Sequence, residues 1–211
     1  MAHPTLDGVG RFSYRFASLI MAWNHAEDTG RQIAQQLLGV SALSWALTAE
    51  IGNRTLMQAI EVASHDMEKL GPHLRHLSSG FTILLGYRNF YVHALKSVQH
   101  NGLVPGEYEG ILFSTDGKGR ARFYSRGLRQ AELKIATEAM HDLVGYGAAI
   151  QKELGVNTDA LDRLLKTYGG SLEKPTWPQS VEKTPLFLAG QEPPPKEPRR
   201  KRGTRKKKPE P

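Results

Sequence analysis

The chain contains no cysteine. Disulfides, thiolate metal sites and a cysteine nucleophile are therefore excluded, and a reducing compartment, by default the cytoplasm, fits. Long apolar runs are also missing. A run such as Phe81 to Leu85 falls far short of the ~20 residues that a membrane helix needs, and the N-terminus lacks a signal-peptide pattern, so no membrane insertion is expected. There is no Gly-x-Ser-x-Gly sequence, which leaves a covalent serine hydrolase without support. Gly117-Lys118-Gly119 lacks the remaining residues of a phosphate-binding loop and reads as a hairpin turn. No internal repeat is present.

What is present suits one ordinary domain with an appendage: 211 residues, of which 39% are hydrophobic and 23% charged. The net charge of +7 resembles a nucleic-acid signature until it is divided along the chain. From Gln191 onward nine Lys or Arg stand against three Glu, so almost all of the excess belongs to the tail, and it characterises the tail's partners rather than a groove on the domain. The run Arg199, Arg200, Lys201, Arg202, Arg205, Lys206, Lys207 and Lys208 attracts polyanions without regard to sequence, and phosphate backbones are the expected partners. Anionic membrane surfaces respond to the same charge, and a solvated tail that only aids solubility is the plain alternative.

Hydrophobic spacing predicts mainly helix. Phe12, Phe16, Leu19, Ile20, Trp23, Ile33, Leu37 and Leu38 recur largely at three- and four-residue intervals, giving a helix over Arg11 to Leu38 that Gly39 stops. Ser41 caps a short segment through Glu50, and Gly52-Asn53 turns into a helix from Thr55 to Lys69. Gly71-Pro72 opens the next, with Leu74, Leu77, Phe81, Leu84, Leu85 and Leu95 as its buried face and Gly80 and Gly86 as points of kinking. Tyr108 to Phe113 and Arg120 to Tyr124 then flank Thr115-Asp116-Gly117-Lys118-Gly119, a β-hairpin pattern over about 108–124. Helices follow over Gln130 to Leu154 and Thr158 to Tyr168. The expected organisation is a helical domain over 1–168 and a disordered, Pro-rich and polybasic tail over 169–211.

The residues with the most chemistry are Arg88, Asn89 and His93, an Arg-x4-His spacing on an aromatic-rich helix. Asn89 and His93 are four apart and share a helix face, which Lys96 and His100 continue as a polar row. An imidazole titrates near neutral pH and serves as a general base, while a guanidinium is a permanent cation whose geometry matches phosphate oxygens. RNA carries its own nucleophile, the ribose 2′-hydroxyl, so a base and a cation suffice to start its cleavage. The competing reading is that Arg88 and His93 are polar residues bonded to neighbouring helices at the rim of the bundle.

In Arg88, Asn89 and His93, and in its general helical plan, the chain resembles the HEPN superfamily, whose ribonuclease members carry an Arg, a polar residue and a His four to six positions after the Arg. The resemblance implies a HEPN-like helical bundle with one inserted β-hairpin. It also implies a homodimer that brings two motifs together, and RNA cleavage that needs no metal ion or other cofactor. Arg88 and His93 would be catalytic, Asn89 supporting, and Lys96 and the tail would contact RNA. A toxin or defence effector, held by an inhibitory protein partner, is the role such a family suggests. The rival hypothesis is a non-enzymatic helical adaptor that binds nucleic acid through its tail or a protein through its helices. His65, Asp66, His73 and His76 form one further cluster with metal-ligand types. Glu138 and His141 supply a single Glu-x-x-His pair, where a di-metal bundle uses two.

Overall fold

The computed structural model describes residues 8–93, 95–97, 108–115, 121–181 and 184–186, which are mainly helical. Helix α1 (Gly8–Leu38) starts earlier than the spacing predicts and ends where predicted, at Gly39, whose φ of 79° suits a residue without a side chain. Helix α2 (Ala42–Glu50) is fixed at its start by a reciprocal capping box: the Ser41 hydroxyl accepts from the Ser44 amide and the Ser44 hydroxyl from the Ser41 amide. Helix α3 (Asn53–Ala63) stops well short of the expected Lys69. Ser64–Asp66 tighten into a 3-10 turn, because Gly71 packs directly on the Ser64 carbonyl with no space for a Cβ.

Helix α4 (Gly71–His93) runs through Gly80 and Gly86, so neither glycine breaks it. Its inward face carries Leu74, Leu77, Phe81 and Leu84, all fully buried. Helix α5 (Gln130–Glu153) is buried on every side from Leu143 to Gln151, which makes it the centre of the bundle. It lies along α1 and is flanked by α4 and by α6 (Asp159–Tyr168). Gly147 permits the close approach, since a Cβ there would collide with Thr29 on α1. The Trp23 and Phe81 rings join α1 to α4 with centroids 4.8 Å apart. Thr158 caps α6 by accepting from the Leu161 amide, and Gly169 ends it in the left-handed conformation at φ 67°.

Among the described residues four strands, β1 (Leu95–Ser97), β2 (Tyr108–Thr115), β3 (Ala121–Leu128) and β4 (Thr184–Leu186), make an antiparallel sheet in the order β1-β2-β3-β4. Tyr108 stands opposite Leu128 and Thr115 opposite Ala121. The turn expected between them, at 116–120, lies outside the described residues. Leu95, expected on the buried face of α4, sits in β1, because the chain leaves the helix at His93.

The chain past Tyr168 departs most from expectation. A Pro-rich segment was expected to add nothing to the core from residue 169 onward, yet Leu172, Trp177 and Val181 pack against it. The Trp177 indole stacks on His76 at 5.1 Å and its N–H donates to the His76 carbonyl at 3.1 Å. The Tyr87 hydroxyl donates to the Gln179 carbonyl at 2.8 Å. Residues 175–181 thus form a strap along α4, and Gly80 is the seat for its tryptophan: a Cβ at that position would run into the indole ring. One aromatic side chain with a place to dock and a partner for its N–H is enough to order a segment whose composition reads as unstructured. The basic run from Arg199 lies outside the described residues.

Candidate active site

The last two turns of α4 divide their side chains by period. Tyr87, Phe90 and Tyr91 point inward and are buried, which anchors the turn and fixes its rotation. Arg88 and Asn89 are left half-buried and His93 exposed at the helix's final position. The Tyr91 hydroxyl donates to the Glu132 carboxylate at 3.2 Å, tying this end of α4 to the first turn of α5. Close by, Arg15 on α1 donates to the Gln130 carbonyl at 3.1 Å.

The three motif residues meet. One guanidinium nitrogen of Arg88 (Nη1) lies 3.1 Å from Asn89 Oδ1 and 3.2 Å from His93 Nε2. A guanidinium only donates, so in this contact Nε2 is the ring nitrogen with a lone pair and the His93 proton sits on Nδ1. Helical geometry explains the convergence: His93 is five residues past Arg88, about one and a half turns, a gap that the long arginine stem crosses while the shorter Asn89 lies between. Among the described residues, the hydrogen bonds of the Arg88 guanidinium run to Asn89 and His93.

Lys96 and His100 do not extend the row. Lys96 lies in β1, where its backbone pairs opposite Gly110, and His100 lies outside the described residues. A three-residue strand whose partner is more than ten positions away gives no local signal against continuing a helix.

Two histidines of the other cluster, His73 and His76, are hydrogen-bonded to different partners. His73 Nδ1 is 2.8 Å from the Tyr146 hydroxyl, and His76 donates from Nε2 to the Pro175 carbonyl at 2.8 Å. Among the described residues no group of three or more His, Asp or Glu side chains is placed to hold a metal ion. A second polar region escaped the sequence reading. Asp142, Tyr146, Tyr168, Ser171, Glu173 and Lys174 line an open cleft of about 400 Å³, and the Tyr168 hydroxyl lies 3.4 Å from His25 Nδ1. Burial pushes the His141 imidazole down, and the charge of His25 adds to this; burial likewise pushes the Asp142 carboxyl up. It also raises the Tyr146 phenol to about 12. These groups come from α1, α5, α6 and the segment that follows α6, so no spacing in the sequence announces them.

The chain matches no protein-family model, no curated protein and no solved structure. Among the described residues no helix is long and apolar enough to cross a membrane.

Proposed function

We propose that the protein is a metal-independent endoribonuclease of the HEPN kind, with Arg88 and His93 catalytic and Asn89 supporting. The observation that carries this reading is the convergence of the three side chains at the open end of α4, within 3.2 Å of one guanidinium nitrogen. His93 Nε2 takes the proton of a ribose 2′-hydroxyl as its oxygen attacks phosphorus. Arg88 stabilises the negative charge that gathers on the phosphoryl oxygens, and Asn89 orients the guanidinium. The new 2′-oxygen–phosphorus bond replaces the bond to the 5′-oxygen, which leaves with a proton. The products are a 2′,3′-cyclic phosphate and a 5′-hydroxyl.

In the free protein Arg88 occupies the lone pair that the base needs. A phosphate competes for the guanidinium with a full negative charge and therefore releases Nε2 as it binds. One motif supplies one base and one cation but no second acid for the leaving oxygen, so a second copy of the chain provides it. Most of α4 is enclosed in its own bundle, so such a pairing uses only the end carrying Arg88 and His93. The basic tail raises the local concentration of RNA, and a protein that covers this end of α4 would act as an inhibitor. The test is to incubate purified protein with mixed RNA in excess chelator. Cleavage leaving cyclic-phosphate ends is the expected result, and intact RNA across pH 6–9 would end the proposal.

A further inference from the structure

The cleft between α5, α6 and the segment after α6 has walls that are fixed on every side. Gly145 lets the end of α6 close on α5, since a Cβ there would collide with the Tyr168 carbonyl, and this brings Tyr168 to the same cleft as Asp142 and Tyr146, one turn apart on α5. Gly169 then reverses the chain in the left-handed conformation, and Ser171 to Thr176 return to form the opposite wall. That wall is pinned to α4. His76 donates to the Pro175 carbonyl at 2.8 Å, and Trp177 is seated over Gly80. The most buried of the lining side chains, Tyr146, is held by its hydroxyl, 2.8 Å from His73 Nδ1. The volume of about 400 Å³ falls within the range that small-molecule sites occupy.

The charges around the cleft select its ligand. Asp142 and Glu173 bring two carboxylates against the single ammonium of Lys174, and among the described residues none of these three side chains makes a hydrogen bond or ion pair. Helix α6 ends on the cleft at Tyr168 and Gly169, so the partial negative charge of its C-terminus falls there. Tyr146 and Tyr168 add two phenol rings, whose faces attract cations. The His141 ring, 5.2 Å from that of Tyr168, does not offset this, because burial holds its imidazole below the ordinary value and so neutral at pH 7. Lys174 is exposed, and its long stem lets the ammonium turn into solvent.

We propose that this cleft binds a small organic cation, an alkylammonium or guanidinium compound, with its charge at Asp142 and Glu173 and its apolar stem against the tyrosine rings. The N–H groups of such a cation donate to carboxylates that have no other partner, and charge-assisted bonds of this kind are about twice as strong as neutral ones. An anion would meet two carboxylates and a helix C-terminus with only Lys174 to hold it. The site does not rest on the ribonuclease reading: His76, which pins its wall, lies roughly 18 Å along α4 from Arg88.

The test uses the full chain without RNA, with spermidine as the probe and titration calorimetry in about 0.1 M salt, where diffuse surface attraction is screened. Saturable binding of one spermidine per chain is expected, with a rise in melting temperature. Asp142→Asn and Glu173→Gln, both at exposed positions, should each weaken binding about tenfold with circular dichroism unchanged. Mg²⁺ at equal ionic strength should not displace the probe, because a hydrated metal ion gains little from the rings. No saturation up to about 10 mM spermidine overturns the proposal. So does unchanged affinity in either variant, displacement by Mg²⁺, which marks a diffuse counter-ion layer, or binding of inorganic phosphate in place of spermidine.

Discussion

Gly80→Ala decides whether the strap is part of the folded domain, because the two possibilities predict opposite signs. In a helix interior, alanine is more stable than glycine by about 1 kcal/mol, so an unencumbered Gly80→Ala would stabilise the protein. In this structure the new methyl would fall on the Trp177 indole, against its Cδ2, Cε2 and Cζ2 atoms. These are ring atoms near the middle of the side chain, so a small rotation does not clear them and the indole must lift. Lifting it weakens the stacking on His76 and the indole hydrogen bond at 3.1 Å. Overpacking of this kind costs about 1–3 kcal/mol, which exceeds the helical gain. With the helical gain subtracted, the net loss is up to about 2 kcal/mol, a fall in melting temperature of up to roughly 8 °C for a chain of this size. Thermal melts followed by circular dichroism give the sign, and a red shift in tryptophan emission reports the lifted indole. Gly86→Ala, with nothing within 4 Å of its added methyl, is the internal control and should be neutral or stabilising by up to about 1 kcal/mol. In a Trp177→Ala background the collision is gone, and Gly80→Ala should then stabilise as well. If Gly80→Ala raises the melting temperature of the parent protein as Gly86→Ala does, the strap is not seated as described.

His93→Ala should abolish RNA cleavage, a loss of at least a hundredfold, with unchanged circular dichroism because the side chain is exposed; equal cleavage by variant and parent removes His93 from the chemistry. Arg88→Lys keeps a charge but loses the planar donor set, so it should lower kcat by at least tenfold while the protein still melts within about 2 °C of the parent. Deleting the chain after Gly190 keeps the strap and β4 and should leave the melting temperature unchanged while flattening the salt dependence of RNA affinity; parallel log-affinity against log-salt lines would assign the phosphate contacts to the domain. Glu27 gives a pH prediction. Burial pushes its carboxyl up, but hydrogen bonds from Arg31, Asn53 and Trp23, with the charge of Arg31, outweigh this and hold it below its ordinary value. A carboxyl depressed in the folded state contributes stability above its unfolded pKa and loses it as pH falls through the folded value. Denaturant midpoints should therefore decline below about pH 4.5 in the parent and more weakly in Glu27→Gln; equal slopes would show that Glu27 is not the linked group.

Helix positions and stops could be read from the sequence because their causes are local. The three- and four-residue period of α1 and α5, the Ser41 cap and the stop at Gly39 each depend on neighbours within a few residues. The Arg88, Asn89 and His93 meeting is also local: Asn89 and His93, four apart, share a helix face, and the long stem of Arg88 reaches across to them. The tail's charge is a matter of composition. Tertiary structure alone decided where α4 ends, because β1 is defined by pairing with β2. It decided that Gly80 is a seat rather than a hinge, since the tryptophan that fills it lies almost a hundred residues away. It gathered Asp142, Tyr146, Tyr168 and the segment after α6 around one cleft. It also turned the apolar face of α2 outward: hydrophobicity by itself predicts burial of Leu43, Trp45 and Leu47, whereas the buried Gln35 and the half-buried Arg31 find their hydrogen-bond acceptors at Thr48 and the end of α2.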